Sequence, residues 1–252
     1  DKARRARADA AKRGADIIVF TELFLCGYPP EDLVRKPAFA RAARAATQEL
    51  ARDTADGGPA VVIGTIWPDE GRLFNAVAVL DKGEIAGLRF KVDLPNYGVF
   101  DEKRVFDAGP LPGPILLRGM RIGLPICEDI WKDEVVECLQ ESGAEVLIVP
   151  NGSPFDWPKP DQRMNVVVAR VTETGLPLAY VNQIGGQDEL VFDGASFVLN
   201  ADRSLAVQLP AWAEQIVMTT WTRTPGGWVC AAGERAVLPE KDAAAYHACV
   251  LG

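Results

Sequence analysis

The segment Ile17-Ile18-Val19-Phe20-Thr21-Glu22 changes abruptly from apolar residues to a glutamate. Four consecutive apolar residues predict a short strand buried on both faces, and Glu22 stands where that strand ends. The same arrangement recurs twice, because Lys91 and Cys127 also follow apolar runs of strand length. In α/β sheets, the loops that form a site gather at the ends of strands. These three residues are therefore candidates for one functional site.

Helical and strand-like segments alternate along the rest of the chain. The predicted helices cover residues 2–13, 38–53, 132–141 and 161–174. The predicted strands cover residues 17–20, 60–66, 75–80, 84–90, 121–126, 145–149, 178–182, 195–199, 204–208 and 214–221. This alternation indicates an α/β fold in which helices cover buried sheets. Tight turns such as Asp81-Lys82-Gly83 add antiparallel pairs, so we expect the sheets to be mixed.

Composition limits the classes of function. The 252 residues are 48% hydrophobic and carry a net charge of −8, which predicts a globular fold and argues against a nucleic-acid partner. The basic residues within 2–13 are interpreted as the solvated face of a helix. The longest apolar runs fall far short of the roughly 20 residues of a membrane span. The first stretch is charged, unlike a signal peptide. We therefore expect no membrane association.

Cysteine and histidine usage restricts the chemistry further. Five cysteines without a Cys-x-x-Cys pair argue against a disulfide framework or a thiolate zinc site, and predict a cytoplasmic location. The single histidine, His247, lies in a helical pattern near the end of the sequence and is interpreted as a surface residue. Carboxylates do not cluster either, so we predict no metal site. A catalytic base would then be a carboxylate or a lysine.

Glu22, Lys91 and Cys127 supply complementary chemistry for attack on a carbonyl group. A cysteine must become a thiolate to act as a nucleophile, and a partly buried carboxylate such as Glu22 can take the thiol proton. The Lys91 ammonium, with the backbone N–H of Glu128, can stabilise the oxyanion that forms. Each residue alone would be unremarkable, since a buried cysteine is more often core filler than a nucleophile. Together they indicate an amide hydrolase.

Three segments resemble the glutamate, lysine and cysteine blocks of the nitrilase (carbon–nitrogen hydrolase) superfamily. They are Phe20-Thr21-Glu22-Leu23, Phe90-Lys91-Val92-Asp93-Leu94-Pro95 and Leu124-Pro125-Ile126-Cys127-Glu128-Asp129-Ile130-Trp131. The resemblance implies a four-layer α-β-β-α sandwich with two mixed sheets. It also gives Glu102 the role of a supporting glutamate that holds Lys91 and helps to place the substrate amide.

Other segments narrow the resemblance to the glutaminase domain of the glutamine-dependent NAD+ synthetase family. They are Gly27-Tyr28-Pro29-Pro30-Glu31-Asp32-Leu33, the run from Leu94 to Arg104, the run from Tyr180 to Asp188, and Phe192-Asp193-Gly194. The resemblance implies that Cys127 attacks L-glutamine to give a thioester and ammonia. It also implies that Tyr97, Ser153 and Lys159 bind glutamine. Each residue also has an ordinary structural alternative. For Tyr97 it is packing in a turn, for Ser153 it is an N-cap or turn residue, and for Lys159 it is a solvated lysine between two prolines.

The resemblance also predicts how the chain is organised. Residues 1–235 would form the hydrolase domain, with its first strand missing, and residues 236–252 would be a junction towards an absent synthetase domain. That absent domain, not this one, would use ATP and Mg²⁺ and consume the ammonia to amidate deamido-NAD+. We expect no cofactor in the hydrolase domain, and we expect a homo-oligomer. Two alternatives remain open: a free-standing amidase or N-carbamoyl amino acid hydrolase, and a non-catalytic scaffold of the same fold.

Overall fold

The computed structural model describes residues 1–252, which form two compact units, Asp1–Pro112 and Gly113–Gly252. Both units combine helices with a mixed sheet, so the predicted α/β class is confirmed. The predicted division into a domain at 1–235 and a junction at 236–252 stays a prediction. No helix combines the length and the apolar character that crossing a membrane requires.

The first unit contains two helices and a four-stranded sheet. The helices are α1 (Lys2–Lys12) and α2 (Pro37–Asp53), and the strands are β1 (Ile17–Val19), β2 (Ala60–Asp69), β3 (Arg72–Asp81) and β4 (Glu84–Phe90). The strands lie in the order β1-β2-β3-β4, with β1 parallel to β2 and the other pairs antiparallel. Alanines of both helices pack with Leu50 against sheet residues such as Ile18 and Val61. Small side chains let the helices approach the sheet closely.

Arg7 corrects the interpretation of the basic cluster. Its neighbours in α1 are mostly exposed, but Arg7 is buried. Its guanidinium donates to the carbonyl of Pro59 at 2.8 Å and to the Asp56 carboxylate at 2.9 and 2.6 Å. The cluster is therefore only in part a solvated face, because one of its arginines ties α1 to the loop before β2.

The second unit contains a six-stranded sheet, two hairpins and three helices. Its strands are β5 (Ile115–Leu117), β6 (Met120–Gly123), β7 (Val146–Asn151), β8 (Leu178–Asn182), β9 (Ile184–Gln187), β10 (Leu190–Asp193), β11 (Phe197–Leu199), β12 (Leu205–Gln208), β13 (Trp221–Thr224) and β14 (Gly227–Cys230). Its helices are α3 (Glu134–Glu141), α4 (Lys159–Thr174) and α5 (Lys241–Leu251). The large sheet has the order β12-β11-β8-β7-β6-β5, in which β6, β7 and β8 are parallel.

The structure differs from the predicted elements mainly at short strands. The predicted strand 214–221 is wrong, since only Trp221 of that range lies in a strand. The strands β5, β9, β10 and β14 were not predicted. Each has three or four residues and pairs antiparallel with a neighbour across a tight turn. Such strands are stabilised by their partner more than by their own hydrophobic pattern, so they leave little signal in the sequence.

Candidate active site

Three charged side chains of the first unit meet in its interior. The Nζ atom of Lys91 lies 2.8 Å from Oε1 of Glu22 and 2.7 Å from Oε1 of Glu102. The side chains of Glu22 and Lys91 are wholly buried, and that of Glu102 is nearly so. The sequence named all three residues, and the structure places them in one cluster. A buried ammonium can hold two carboxylates apart and in fixed positions through such charge-assisted bonds.

Two glycines make room for this cluster. A Cβ atom on Gly64 of β2 would lie 2.4 Å from the Thr21 carbonyl oxygen and 2.6 Å from the Glu22 carbonyl carbon. A Cβ atom on Gly109 would lie 2.5 Å from that of Phe90, and the Gly109 N–H donates to the Lys91 carbonyl at 2.8 Å. Only glycine permits such close approach of two backbones. The segments that carry Glu22 and Lys91 are therefore held by main-chain contacts.

Two further residues of the cluster were missed by the sequence analysis. The Tyr28 hydroxyl donates to Glu102 Oε1 at 2.8 Å, and the Asn75 amide donates to Glu22 Oε1 at 2.8 Å. Tyr28 lies in one of the segments that carried the family resemblance, but without an assigned role. Asn75 is a polar residue within the apolar run 74–80. A buried asparagine in such a run needs hydrogen-bond partners, and this was the available signal.

Burial dominates the electrostatics of Glu102. Desolvation raises the pKa of this carboxyl above its ordinary value, and the charge of Glu22 adds to the rise. The charge of Lys91 and the hydrogen bonds from Lys91 and Tyr28 act in the opposite direction. The pKa of Glu102 is thus raised by burial, and the contacts with Lys91 and Tyr28 limit that rise.

Cys127 occupies a strained turn at the start of a short 3₁₀ helix, Cys127–Ile130. Its backbone φ is +46°, in the left-handed region that non-glycine residues rarely adopt. Asp129 closes the turn, since its Oδ2 accepts the Ile126 N–H at 2.9 Å and its own N–H donates to the Ile126 carbonyl at 3.0 Å. A sharp turn between a strand and a helix is also how hydrolases of another fold present a nucleophile. The strand before it, β6, ends at Gly123, three residues earlier than predicted.

Ser153 lies in a loop after β7 that is organised by Arg163 of α4. The Arg163 Nε–H donates to Ser153 Oγ at 3.0 Å, and Nη2 donates to the carbonyls of Ser153 and Pro154 at 2.8 and 2.9 Å. Its Nη1 donates to both oxygens of Asp193, at 2.8 and 2.9 Å. Asn182 adds a bond from the Ser153 N–H to its Oδ1 at 2.9 Å. The sequence analysis named Ser153 as a binding residue but gave none of these partners a role.

Lys159 is the first residue of α4, two residues before the predicted start of this helix. It is half-buried, and its Nζ lies 4.4 Å from the centre of the Trp131 ring, within cation–π range. Burial lowers the pKa of the Lys159 ammonium, and the charge of Arg163 lowers it further, while Cys127 and Glu128 oppose both effects. The alternative of a merely solvated lysine is therefore wrong: Lys159 is held beside Trp131, near Cys127 and Glu128.

The remaining predicted residues have less constrained surroundings. Glu128 directly follows Cys127 in the 3₁₀ turn and is half-buried. Tyr97 is half-exposed in the loop after Lys91, with its ring in edge contact with Phe100 at 5.5 Å. His247 lies on the exposed side of α5, as predicted. Across residues 1–252, no group of three or more His, Cys, Asp or Glu side chains is arranged to hold a metal ion.

A family model described as carbon-nitrogen hydrolase matches residues 1–224, and the chain belongs to this family. Within it, the chain is 46% identical over 252 residues to a protein of Rhodobacter capsulatus named glutamine-dependent NAD(+) synthetase. That alignment includes all of this chain and 46% of the relative, so the chain spans about half the length of the curated relative. The predicted family resemblance is thereby confirmed.

Solved structures place the chain in the same fold. A glutamine-dependent NAD+ synthetase from Acinetobacter baumannii, in complex with ADP, matches with a TM-score of 0.92 and 34% identity, over 99% of this chain and 47% of that chain. A variant amidase of the nitrilase superfamily from Nesterenkonia sp. AN1 matches with a TM-score of 0.73 and 29% identity, over 83% of this chain and 78% of that chain. That structure shows the acetamide moiety of fluoroacetamide added covalently at the active-site cysteine. The expected nitrilase-like α/β fold is confirmed.

Proposed function

We propose that this chain is the glutaminase part of a glutamine-dependent NAD+ synthetase and hydrolyses L-glutamine through a thioester at Cys127. The observation that carries the proposal is the buried cluster in which Lys91 bonds both Glu22 and Glu102. It supplies a base and an electrophile without a histidine, in a chain of the carbon-nitrogen hydrolase family. The names of the relatives support glutamine as the substrate and NAD+ synthesis as the context.

In the first half of the proposed reaction, Glu22 takes the proton of the Cys127 thiol. The thiolate attacks the carboxamide carbon of glutamine, and the Lys91 ammonium and the Glu128 backbone N–H stabilise the oxyanion. The protonated Glu22 then gives its proton to the leaving nitrogen. The carbon–nitrogen bond breaks, ammonia departs, and a γ-glutamyl thioester remains on Cys127.

In the second half, Glu22 takes a proton from water as the water attacks the thioester carbonyl. The carbon–sulfur bond breaks, glutamate leaves, and the thiol recovers the proton. Glu102 holds Lys91 and helps to place the carboxamide, while Tyr97, Ser153 and Lys159 bind the amino-acid end of glutamine. No step of this reaction uses a cofactor. We assign ATP and Mg²⁺ to a synthetase domain that accepts the ammonia and amidates deamido-NAD+, within a cytoplasmic homo-oligomer.

A second candidate is a free-standing amidase or N-carbamoyl amino acid hydrolase with the same catalytic residues. The Nesterenkonia amidase favours it, because 78% of that chain is covered at a TM-score of 0.73. Turnover of glutamine, propionamide and an N-carbamoyl amino acid by the purified protein separates the two. Fast cleavage of either alternative substrate with negligible glutamine cleavage would replace glutaminase with this second function.

The nucleophile is tested with a diazo-ketone analogue of glutamine followed by mass spectrometry. We expect Cys127 to be modified and glutamine to protect it. Burial raises the pKa of Cys26 and of Cys230 to about 11, so both stay protonated and unreactive at neutral pH. Exposed Cys249 is the internal control for non-specific reaction. If Cys249 reacts while Cys127 does not, a non-catalytic scaffold becomes the better description.

The base is tested by Glu22→Gln. We expect turnover to fall by about 10²–10⁴-fold, because a neutral amide cannot accept the thiol proton. Cys127→Ala should abolish turnover, and Cys26→Ser should retain it. Near-normal turnover by Glu22→Gln would remove this glutamate from the mechanism.

A further inference from the structure

Asn75 of β3 contacts all three charged residues of the buried cluster. Its side-chain amide donates to Glu22 Oε1 at 2.8 Å and lies 3.4 Å from Glu102 Oε2. Its backbone carbonyl accepts the N–H of Lys91 at 2.9 Å. Asn75 is 1% exposed, so these contacts are made without competition from water. One residue therefore links the proposed base, the proposed electrophile and the supporting glutamate.

The orientation of the Asn75 amide is fixed by the charges around it. Its nitrogen faces two carboxylate groups, where its carbonyl oxygen would be repelled. As a consequence, Oδ1 is buried without a hydrogen-bond partner. An unsatisfied buried carbonyl costs stability and calls for an explanation. A leucine of similar size would avoid that cost, so the explanation must lie in what the Asn75 N–H groups do.

Two of the donors to Glu22 converge on the same carboxylate oxygen. Lys91 Nζ and Asn75 Nδ2 both lie 2.8 Å from Oε1. Two bonds from different directions fix the rotation of a carboxylate, whereas one bond leaves it free to turn. Lys91 and Glu102 are among the ionisable groups that face Glu22, and Tyr28 bonds Glu102.

We propose that Asn75 is a positioning residue that sets the orientation of the Glu22 carboxylate for proton transfer. This inference rests on the proposed role of Glu22 as the base. It does not depend on glutamine being the substrate, because the base would act in the same way on any amide.

The test is Asn75→Leu, compared with Thr47→Val. Thr47 is equally buried, and its hydroxyl bonds the Ala43 carbonyl and Thr65 within the same unit, away from the charged cluster. For Asn75→Leu we expect kcat to fall by about 10²-fold, since small misplacements of catalytic groups cost this much, with KM little changed. Modification of Cys127 by the diazo-ketone should slow in parallel.

Thr47→Val should change thermal stability while leaving kcat, KM and the rate of Cys127 modification unchanged. The inference is overturned if Asn75→Leu keeps the wild-type kcat, or if Thr47→Val reproduces its loss of rate. Should Asn75→Leu fail to fold, Asn75→Ser keeps the question open to measurement with a smaller change of shape, and the same fall in kcat at little-changed KM is required. If the wild type cleaves other amides but not glutamine, the test is run on those amides and only the proposed substrate fails.

Discussion

Gly64 lies so close to Glu22 that a methyl group on its Cα would stand 2.6 Å from the Glu22 carbonyl carbon. Gly64→Ala should therefore push the Glu22 segment away from β2. We expect a loss of about 1–3 kcal/mol in the free energy of unfolding, typical of overpacking, and a larger proportional loss of turnover. Chemical denaturation and kinetic assays measure both. Gly113→Ala is the control, because a Cβ there meets nothing within 4 Å. Equal behaviour of the two variants would contradict the positioning role of Gly64.

The buried ion pair between Arg163 and Asp193 predicts an asymmetric response to mutation. Asp193→Ala leaves an uncompensated buried guanidinium, so we expect a loss of about 3–5 kcal/mol in urea unfolding. The double variant Arg163→Met with Asp193→Leu should recover much of that loss, because no buried charge remains. Asp53→Ala, which breaks the exposed pair between Arg4 and Asp53, should cost about 1 kcal/mol or less. A double variant as unstable as Asp193→Ala would show that the charges are not the cause.

Glu102 predicts a pH-dependent stability with a definite sign. Burial raises the pKa of the folded-state carboxyl above its unfolded value of about 4.3. The Glu102 carboxyl therefore contributes fully to the free energy of unfolding below about pH 4.3, and this contribution is lost as the pH rises through the folded-state pKa. Relative to Glu102→Gln, the wild type should become progressively less stable as the pH is raised from 4 to 8. Urea unfolding across this range measures the difference.

Asp56 provides a control of opposite sign for that experiment. The hydrogen bond from Arg7 lowers the pKa of its carboxyl, so its contribution is present at neutral pH and lost as the pH falls. The deficit of Asp56→Asn should accordingly shrink on acidification. Parallel pH profiles for wild type and Glu102→Gln would show that the Glu102 carboxyl has the same pKa in the folded and unfolded states.

The backbone of Cys127 predicts an unusual ranking of two inactive variants. Because φ is +46°, Cys127→Gly should be more stable than Cys127→Ala, by about 1 kcal/mol. Cys138, in the middle of α3, gives the reversed order, since glycine weakens a helix interior by about 0.5–1 kcal/mol relative to alanine. Thermal unfolding of the four variants makes the comparison. An unchanged order at both positions would argue against strain in the turn of Cys127.

Lys159 predicts a change in substrate preference. Lys159→Met should raise KM for glutamine and leave kcat/KM for propionamide nearly unchanged, because propionamide has no α-carboxylate to neutralise. Trp131→Leu should act in the same direction with a smaller effect, since it removes only the ring that holds the ammonium. A uniform loss on both substrates would instead indicate that Lys159 acts on the thiol of Cys127.

Much of the site was readable from local sequence. Glu22, Lys91 and Cys127 each follow an apolar run. Such a run predicts a buried strand from the hydrophobicity of its own residues. The single histidine, in a helical pattern near the end of the sequence, argued against a Cys-His pair. The helix predictions and the strand predictions at residues 60–66, 75–80 and 84–90 were confirmed for the same reason, since periodicity and length are properties of neighbouring residues.

The sequence by itself determined the fold class and the types of group available for catalysis, through apolar patterning and the near-absence of histidine. Only the tertiary structure decided which groups meet. The contacts of Asn75 with Glu22 and of Arg163 with Asp193 join residues 53 and 30 positions apart. Local patterning carries no information on such pairs, because they depend on strand register and on where a loop packs. Arg7 illustrates the same point. The sequence of its helix predicts a solvated face, but the Asp56 carboxylate, 49 residues away, makes the burial of Arg7 favourable.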